Sequence, residues 1–267
     1  VLRKRLKDDE KTPFVLGDIV NSDVAVIKVG GKIVLAVGAN DGMLHLIGDD
    51  GTPLFSFIPS AVQQSIIKTS ELDYGHEFFV DSTPKYFTRN GNVYLYGSLG
   101  LNYKGGYLLV FLLSGNHSSS SFVPATTTTT EGTAVYATSY NPTNWYGNIY
   151  KAKVAADGGY NLNSIEWEAS DTFVAVDPDD RLIATYDPEK EKLIKVEVDK
   201  DLESTEETNL TKLFAPGNAR KARYFIDWLL GNHDHEGTAE DLEEDSDKIV
   251  LRKRLKDDEK TPFVLGD

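Results

Sequence analysis

The last 18 residues of this chain, Val250 to Asp267, repeat the first 18, Val1 to Asp18, letter for letter (VLRKRLKDDEKTPFVLGD). The repeat makes the sequence cyclic, because Leu265-Gly266-Asp267 could run on into Ile19-Val20-Asn21 as Asp18 does. Two origins follow. Either the chain derives from a tandem array or a permutation, or two copies of one segment compete for a single slot in the fold. In the second case one molecule's spare copy fills the next molecule's slot, and chains polymerise by donated segments.

Short β-type runs recur along the chain with turn signals between them, which predicts an all-β sandwich, barrel or propeller. Strands are expected at Val24 to Val29, Lys32 to Val37, Met43 to Ile47 and Pro53 to Phe57, with Gly30-Gly31 and Asp49-Asp50-Gly51 as turns. Four strands in about 35 residues is the size of one propeller blade. A second group covers Lys85 to Thr88, Asn92 to Tyr96 after an Asn90-Gly91 hairpin turn, and Gly106 to Leu112. The third spans Ala134 to Ser139, Trp145 to Val154 and Ser164 to Glu168, and the fourth Arg181 to Tyr186 and Lys192 to Val198.

Two segments break this rhythm. Residues 115–130 (GNHSSSSFVPATTTTT) read as a low-complexity linker. Ala219 to Leu230 places Ala222, Phe225, Ile226 and Leu229 on one helical face and stops at Gly231, predicting one short peripheral helix on the β body. Glu236 to Asp247, with seven acidic residues in twelve, reads as a solvated loop.

A net charge of −14 argues against nucleic acid or anionic membrane surfaces, whose phosphates need clustered Lys and Arg. The cluster Arg3-Lys4-Arg5-Lys7 runs straight into Asp8-Asp9-Glu10. No run approaches the roughly 20 apolar residues that span a bilayer. The absence of cysteine excludes disulfides, thiolate metal sites and thiol catalysis.

Leu16-Gly17-Asp18-Ile19-Val20-Asn21-Ser22, then Val37 to His45 (VGANDGMLH) and Gly51 to Ser60 (GTPLFSFIPS), resemble the signature string of the PilC/PilY family of type IV pilus tip-associated adhesins and biogenesis factors. Phe79-Val80-Asp81-Ser82-Thr83-Pro84, Gly97-Ser98-Leu99-Gly100 and Gly105-Gly106-Tyr107 are similar to its next blocks. Trp145-Tyr146-Gly147-Asn148-Ile149 resembles a strand that lies upstream of these in the family, so the order here is rotated. Arg223 to Gly231 and Leu251 to Asp267 look like the segment just before the LGDIVNS block. The resemblance implies a modified β-propeller with irregular blades, and a propeller tolerates rotation because its first and last blades are neighbours. It also implies roles in pilus extension and adhesion at the bacterial surface, with pilus subunits, minor pilins and a surface or host ligand as partners. The family's Asp-rich calcium loop has no counterpart: Asp177-Pro178-Asp179-Asp180 lacks its glycine and spacing.

Candidate site residues are few. Asn40-Asp41-Gly42 supplies turn residues that tolerate left-handed backbone, so Asn40 and Asp41 read first as a turn and second as an interface. His45 reads as a packed core histidine, and Trp145 and Trp228 as core. His233 and His235, with Asp177 and Asp179, have metal-ligating types, against the alternative of solvated loops. No G-x-S-x-G elbow, P-loop or H-E-x-x-H appears. The sequence therefore points to a single β-propeller-like domain over 1–267 that binds and assembles, without catalysis or cofactor. One alternative is a filament subunit whose duplicated segment crosses between molecules through Thr261, Phe263 and Leu265. Another is a quinoprotein-type propeller enzyme, against which three tryptophans and unequal blades argue.

Overall fold

The computed structural model describes residues 16–29, 32–89, 92–100, 103, 106–111, 134–141, 146–154, 160–232, 234–237 and 248–252. Four strands, β1 (Ala25–Val29), β2 (Lys32–Gly38), β3 (Leu44–Gly48) and β4 (Pro53–Ile58), form an antiparallel meander with the predicted boundaries to within a residue or so. Strands β5 (Lys85–Arg89), β6 (Asn92–Ser98) and β7 (Gly106–Phe111) make a second antiparallel sheet. A third joins β8 (Ala134–Asn141), β9 (Tyr146–Val154) and β10 (Tyr160–Glu168), and helix α1 (Ala169–Val174) follows it directly.

The first sheet is the middle layer. Every residue of β3 is buried, which an alternating half-exposed strand would not allow. Ala36, Leu44 and Leu46 pack into one apolar cluster with Val93 and Leu95 of β6, and Leu35, Val37 and Ile47 into another with Ile149 of β9 and Phe173 of α1. Sheets thus flank this one on both faces, and the described residues form no closed propeller.

The fourth strand group builds no blade of its own. Strand β11 (Ile183–Asp187) pairs parallel with β4, Ile183 against Ser56 and Thr185 against Ile58, and β12 (Lys192–Lys195) pairs antiparallel with β11 at the edge. The middle sheet therefore has six strands, in the order β1-β2-β3-β4-β11-β12. Three polar contacts fix the join: the Thr185 hydroxyl donates to the Ile58 carbonyl at 2.8 Å, and the buried Gln63 amide donates to Thr185 Oγ1 and the Tyr186 carbonyl.

The predicted helix is present as α3 (Ala219–Leu230), capped by the Asn218 side chain and ended by Gly231 with φ +116. It is not peripheral: ten of its twelve residues are buried. Its Arg223 side is covered by residues 199–206, where Arg223 donates to Asp199 Oδ2 and to the Ser204 and Glu206 carbonyls. Nor is it the sole helix, since α1 and α2 (Asn209–Phe214) accompany it. The chain after it pairs β13 (Glu236–Gly237) with β14 (Leu251–Arg252), so the start of the predicted acidic loop is a short strand. Residues 115–130, Trp145 and the turns Gly30-Gly31 and Asn90-Gly91 lie outside the described residues.

Truncating Gln63 to alanine takes the donor away from the buried Thr185 hydroxyl and the part-buried Tyr186 carbonyl, and should lower unfolding free energy by about 1–3 kcal/mol. Urea denaturation followed by tryptophan fluorescence reads this directly. A midpoint equal to that of the unsubstituted protein would mean the parallel join does not depend on this amide.

Candidate functional site

The densest polar cluster forms where the chain turns from β2 into β3. The turn needs a left-handed residue, supplied by Gly42 at φ +85, and Asp41 Oδ1 accepts the Met43 N–H at 3.0 Å, an Asx turn. These local bonds leave Asn40 and Asp41 free to hold other segments. Asp41 Oδ2 accepts the Gly17 N–H at 3.0 Å and lies 2.8 Å from His45 Nε2. The Asn40 backbone N–H donates to the Asp18 carbonyl at 2.9 Å, its side-chain amide donates to Asp18 Oδ2 at 2.7 Å, and its side-chain carbonyl accepts the Phe79 N–H. His76 Nε2 lies 2.9 Å from the same Asp18 oxygen.

Residues 16–18 therefore lie in a slot. On one side is the Asn40-Asp41 turn; on the other is β9, whose Gly147 N–H donates to the Leu16 carbonyl at 3.3 Å. The walls are too close for side chains: a Cβ on Gly17 would stand 2.3 Å from Asp41 N, and one on Gly147 would stand 2.4 Å from the Gly17 carbonyl oxygen. Leu16 drops into the second apolar cluster, and Asp18 is 3% exposed.

The next residues continue the junction. The Asn21 backbone and side-chain N–H groups both donate to the Asp81 carboxylate, the Ser22 hydroxyl donates to the Ser82 carbonyl, and Gly38 N–H donates to Ser22 Oγ. Asp23 N–H donates to Thr83 Oγ1. The strings LGDIVNS, ANDG and FVDSTP, far apart in sequence, thus bond one another. Carboxylates are affordable here because each accepts at least two hydrogen bonds, which offsets the cost of removing its charge from water.

Beside Asp18, Tyr74 and His76 lead to a second group of bonds. Tyr103 donates to Glu77 Oε2 at 2.6 Å, and Lys68 Nζ lies 2.9 Å from Glu77 Oε1. Burial, reinforced by the Glu77 carboxylate, pushes the Tyr103 phenol up to about 12. Burial works against the Glu77 charge, but the Tyr103 and Lys68 bonds outweigh it and hold Glu77 below its ordinary value. Burial raises Tyr74 as well.

Ser56, His45 and Asp41 form a hydrogen-bonded chain of the residue types found in hydrolases, with Ser56 Oγ 2.8 Å from His45 Nδ1. The arrangement works as a strut. The carboxylate sits on Nε2 and the hydroxyl on Nδ1, the reverse of a catalytic triad, and His45 is 2% exposed. The cavity beside them, bounded by Met43, Phe173 and Arg181, measures about 20 Å³, room for about one water molecule.

Of the predicted site residues, Asn40 and Asp41 lie at the centre of this junction. Asp177 instead caps a short 3-10 turn, accepting the Asp179 N–H at 3.0 Å, and His235 packs edge-on against Tyr224. Among the described residues no group of three or more metal-ligating side chains converges. His233, Thr261, Phe263 and Leu265 lie outside the described residues. Sequence reasoning missed Asp18, Asn21, Ser22, His76 and Asp81 as contact residues. Except for His76, which lies in no motif string, their signal lay in those strings, which do not say which motif faces which.

Replacing Asp41 with alanine removes the acceptor of Gly17 N–H and Met43 N–H and the partner of His45 Nε2 together, and should cost about 1.5–3 kcal/mol by urea denaturation. A loss inside the ±0.5 kcal/mol range of neutral surface changes would contradict the junction's role. The Tyr103 proton is held more tightly folded than unfolded. Its stabilisation is therefore complete below an ordinary tyrosine pKa of about 10 and is lost as pH rises towards about 12. Tyr103→Phe should flatten the fall in stability between these pH values, and an unchanged slope would rule this source out.

No family model and no solved structure matches the chain. Similarity is found to the type IV pilus biogenesis factor PilY1 of Pseudomonas aeruginosa PAO1, 41% identical over 140 residues, which covers 40% of this chain and 12% of that protein. The PilY1 of strain PAK is 41% identical over 80 residues, 27% of this chain and 7% of that protein. A PilY1 homolog of Xylella fastidiosa is 37% identical over 82 residues, 28% of this chain and 7% of that protein. The chain thus spans 12% or less of the length of these curated relatives. These partial matches support a relationship between the chain and the PilY1 type IV pilus biogenesis factors.

Proposed function

We propose that the chain is a non-catalytic binding and assembly module of type IV pilus biogenesis, propeller-like in build and displayed at the bacterial surface. The observation that carries this reading is the junction of the LGDIVNS, ANDG and FVDSTP strings, which spend nearly all their polar groups on holding chain segments together. Such a site grips polypeptide and offers little room to a substrate. The similarity to PilY1 supplies the setting, a pilus-related role with pilus subunits or minor pilins as partners. In this reading no cofactor is needed, and adhesion to a surface or host ligand uses the loops and sheet faces away from the junction. Among the described residues no helix is long and apolar enough to cross a membrane.

Co-sedimentation of the purified protein with sheared type IV pili from Pseudomonas aeruginosa tests the proposal. Saturable pelleting with pili, absent for the urea-unfolded protein, is the expected result. Protein that stays in the supernatant at every pilus concentration would refute a direct pilus-binding role.

A further inference from the structure

Among the described residues, the first copy of the terminal repeat is represented by its closing residues and the second by its opening ones. Of the first copy, the closing Leu16-Gly17-Asp18 fills the slot between Asp41 and Gly147. Of the second copy, the opening Val250-Leu251-Arg252 is docked: Leu251 N–H donates to the His235 carbonyl, Trp228 Nε1 donates to the Arg252 carbonyl, and Arg252 Nε donates to the Thr69 carbonyl at 2.7 Å.

These two docking positions are neighbours. The Arg252 guanidinium lies 5.2 Å from the Tyr74 ring centre, the Tyr74 and His76 rings are 6.5 Å apart, and His76 bonds Asp18 at 2.9 Å. The chain that leaves Arg252 carries, at its far end, Leu265-Gly266-Asp267, identical to the tripeptide in the slot. Its 12 intervening residues, 253–264, reach about 40 Å when extended, which is long against the contacts of 5.2, 6.5 and 2.9 Å that link Arg252 to Asp18. A tethered segment of this length reaches the slot at an effective concentration near the millimolar range.

We infer that the slot beside Asn40 and Asp41 is a docking site for the chain's own C-terminal tripeptide, Leu265-Gly266-Asp267, which replaces Leu16-Gly17-Asp18 whenever the first copy is released. Both tripeptides offer the same groups: an apolar Leu side chain, a Gly that the walls tolerate, and an Asp for Asn40 and His76. The first copy holds the slot because it is continuous with the buried Ile19, so exchange needs a lesion that disfavours residues 16–18 alone. The inference is independent of any pilus role.

Gly17→Val supplies that lesion, since even a Cβ there would stand 2.3 Å from Asp41 N. The second-copy equivalent, Gly266→Val, is made alone and in combination, and all four proteins are compared by urea denaturation and by light scattering over a wide concentration range. The expected result is that Gly266→Val alone leaves the midpoint unchanged, Gly17→Val lowers it modestly and remains monomeric, and the double variant falls well below the sum of the two shifts. Three outcomes would overturn the inference: a Gly17→Val protein that does not fold, a double variant that unfolds where Gly17→Val does, or Gly17→Val molecules whose mass grows with concentration. The last would mean that the slot takes the tail of a second molecule. A parallel variant lacking residues 1–18 should stay folded with residues 265–267 and lose its cooperative transition without them, and a transition indifferent to that tripeptide would equally overturn the inference.

Discussion

The carboxylate of Asp18 is the group on which the rest of the arrangement turns. It is 3% exposed, and its position is set by the Asn40 amide and the His76 ring, which come from two different loops. A carboxylate withdrawn from water to this degree persists only while its partners stay in place. Withdrawing either one leaves buried charge uncompensated, so the segment 16–18, the β2–β3 turn and the 76–82 loop are energetically one unit. Asn40 extends that unit to Phe79, and Asp41 extends it to Gly17 and His45.

The position of this junction follows from the layering of the sheets. Apolar side chains on both faces of β2 and β3 bury the middle sheet, and the turn between these strands lies where the flanking elements converge. Hydrophobic burial brings the elements together without direction, while the paired Asn and Asp bonds fix register and identity. The close approach of Gly17 to β9 through Gly147 is what lets backbone meet backbone there. A side chain at Gly147 would meet the Gly17 carbonyl oxygen at 2.4 Å, and so would push β9 away from residues 17–19.

Much of the strand pattern was legible in sequence because it is local: alternation and turn residues located β1 to β4 closely, and the Asn218 to Gly231 signals bounded α3. What escaped was non-local. The parallel pairing of β4 with β11 joins residues more than a hundred positions apart, and its fastener, Gln63, lies in a stretch with no strand or helix signal. The amphipathic face of α3 was readable, yet its burial all round depended on Arg223 finding acceptors in residues 199–206. Asn40-Asp41-Gly42 was rightly read as a turn, but turn chemistry uses only part of each side chain, and the remaining atoms form the site. Asp177 has a ligand-type side chain but accepts the nearby Asp179 N–H, and the His235 ring packs edge-on against Tyr224.

The relationship to PilY1 gives these contacts their setting: the strings that resemble the PilC/PilY signature are the strings that interlock. Their arrangement holds the chain segments 16–23, 38–45 and 76–83 firmly together. The central claim is that the junction opens as one unit, and native-state hydrogen exchange tests it most directly by following the amides of Gly17, Asn40 and Phe79, each a donor across the junction. All three should exchange with one common opening free energy and one common urea dependence. Release of the Gly17 amide at a much lower free energy, with Asn40 and Phe79 still protected, would contradict it.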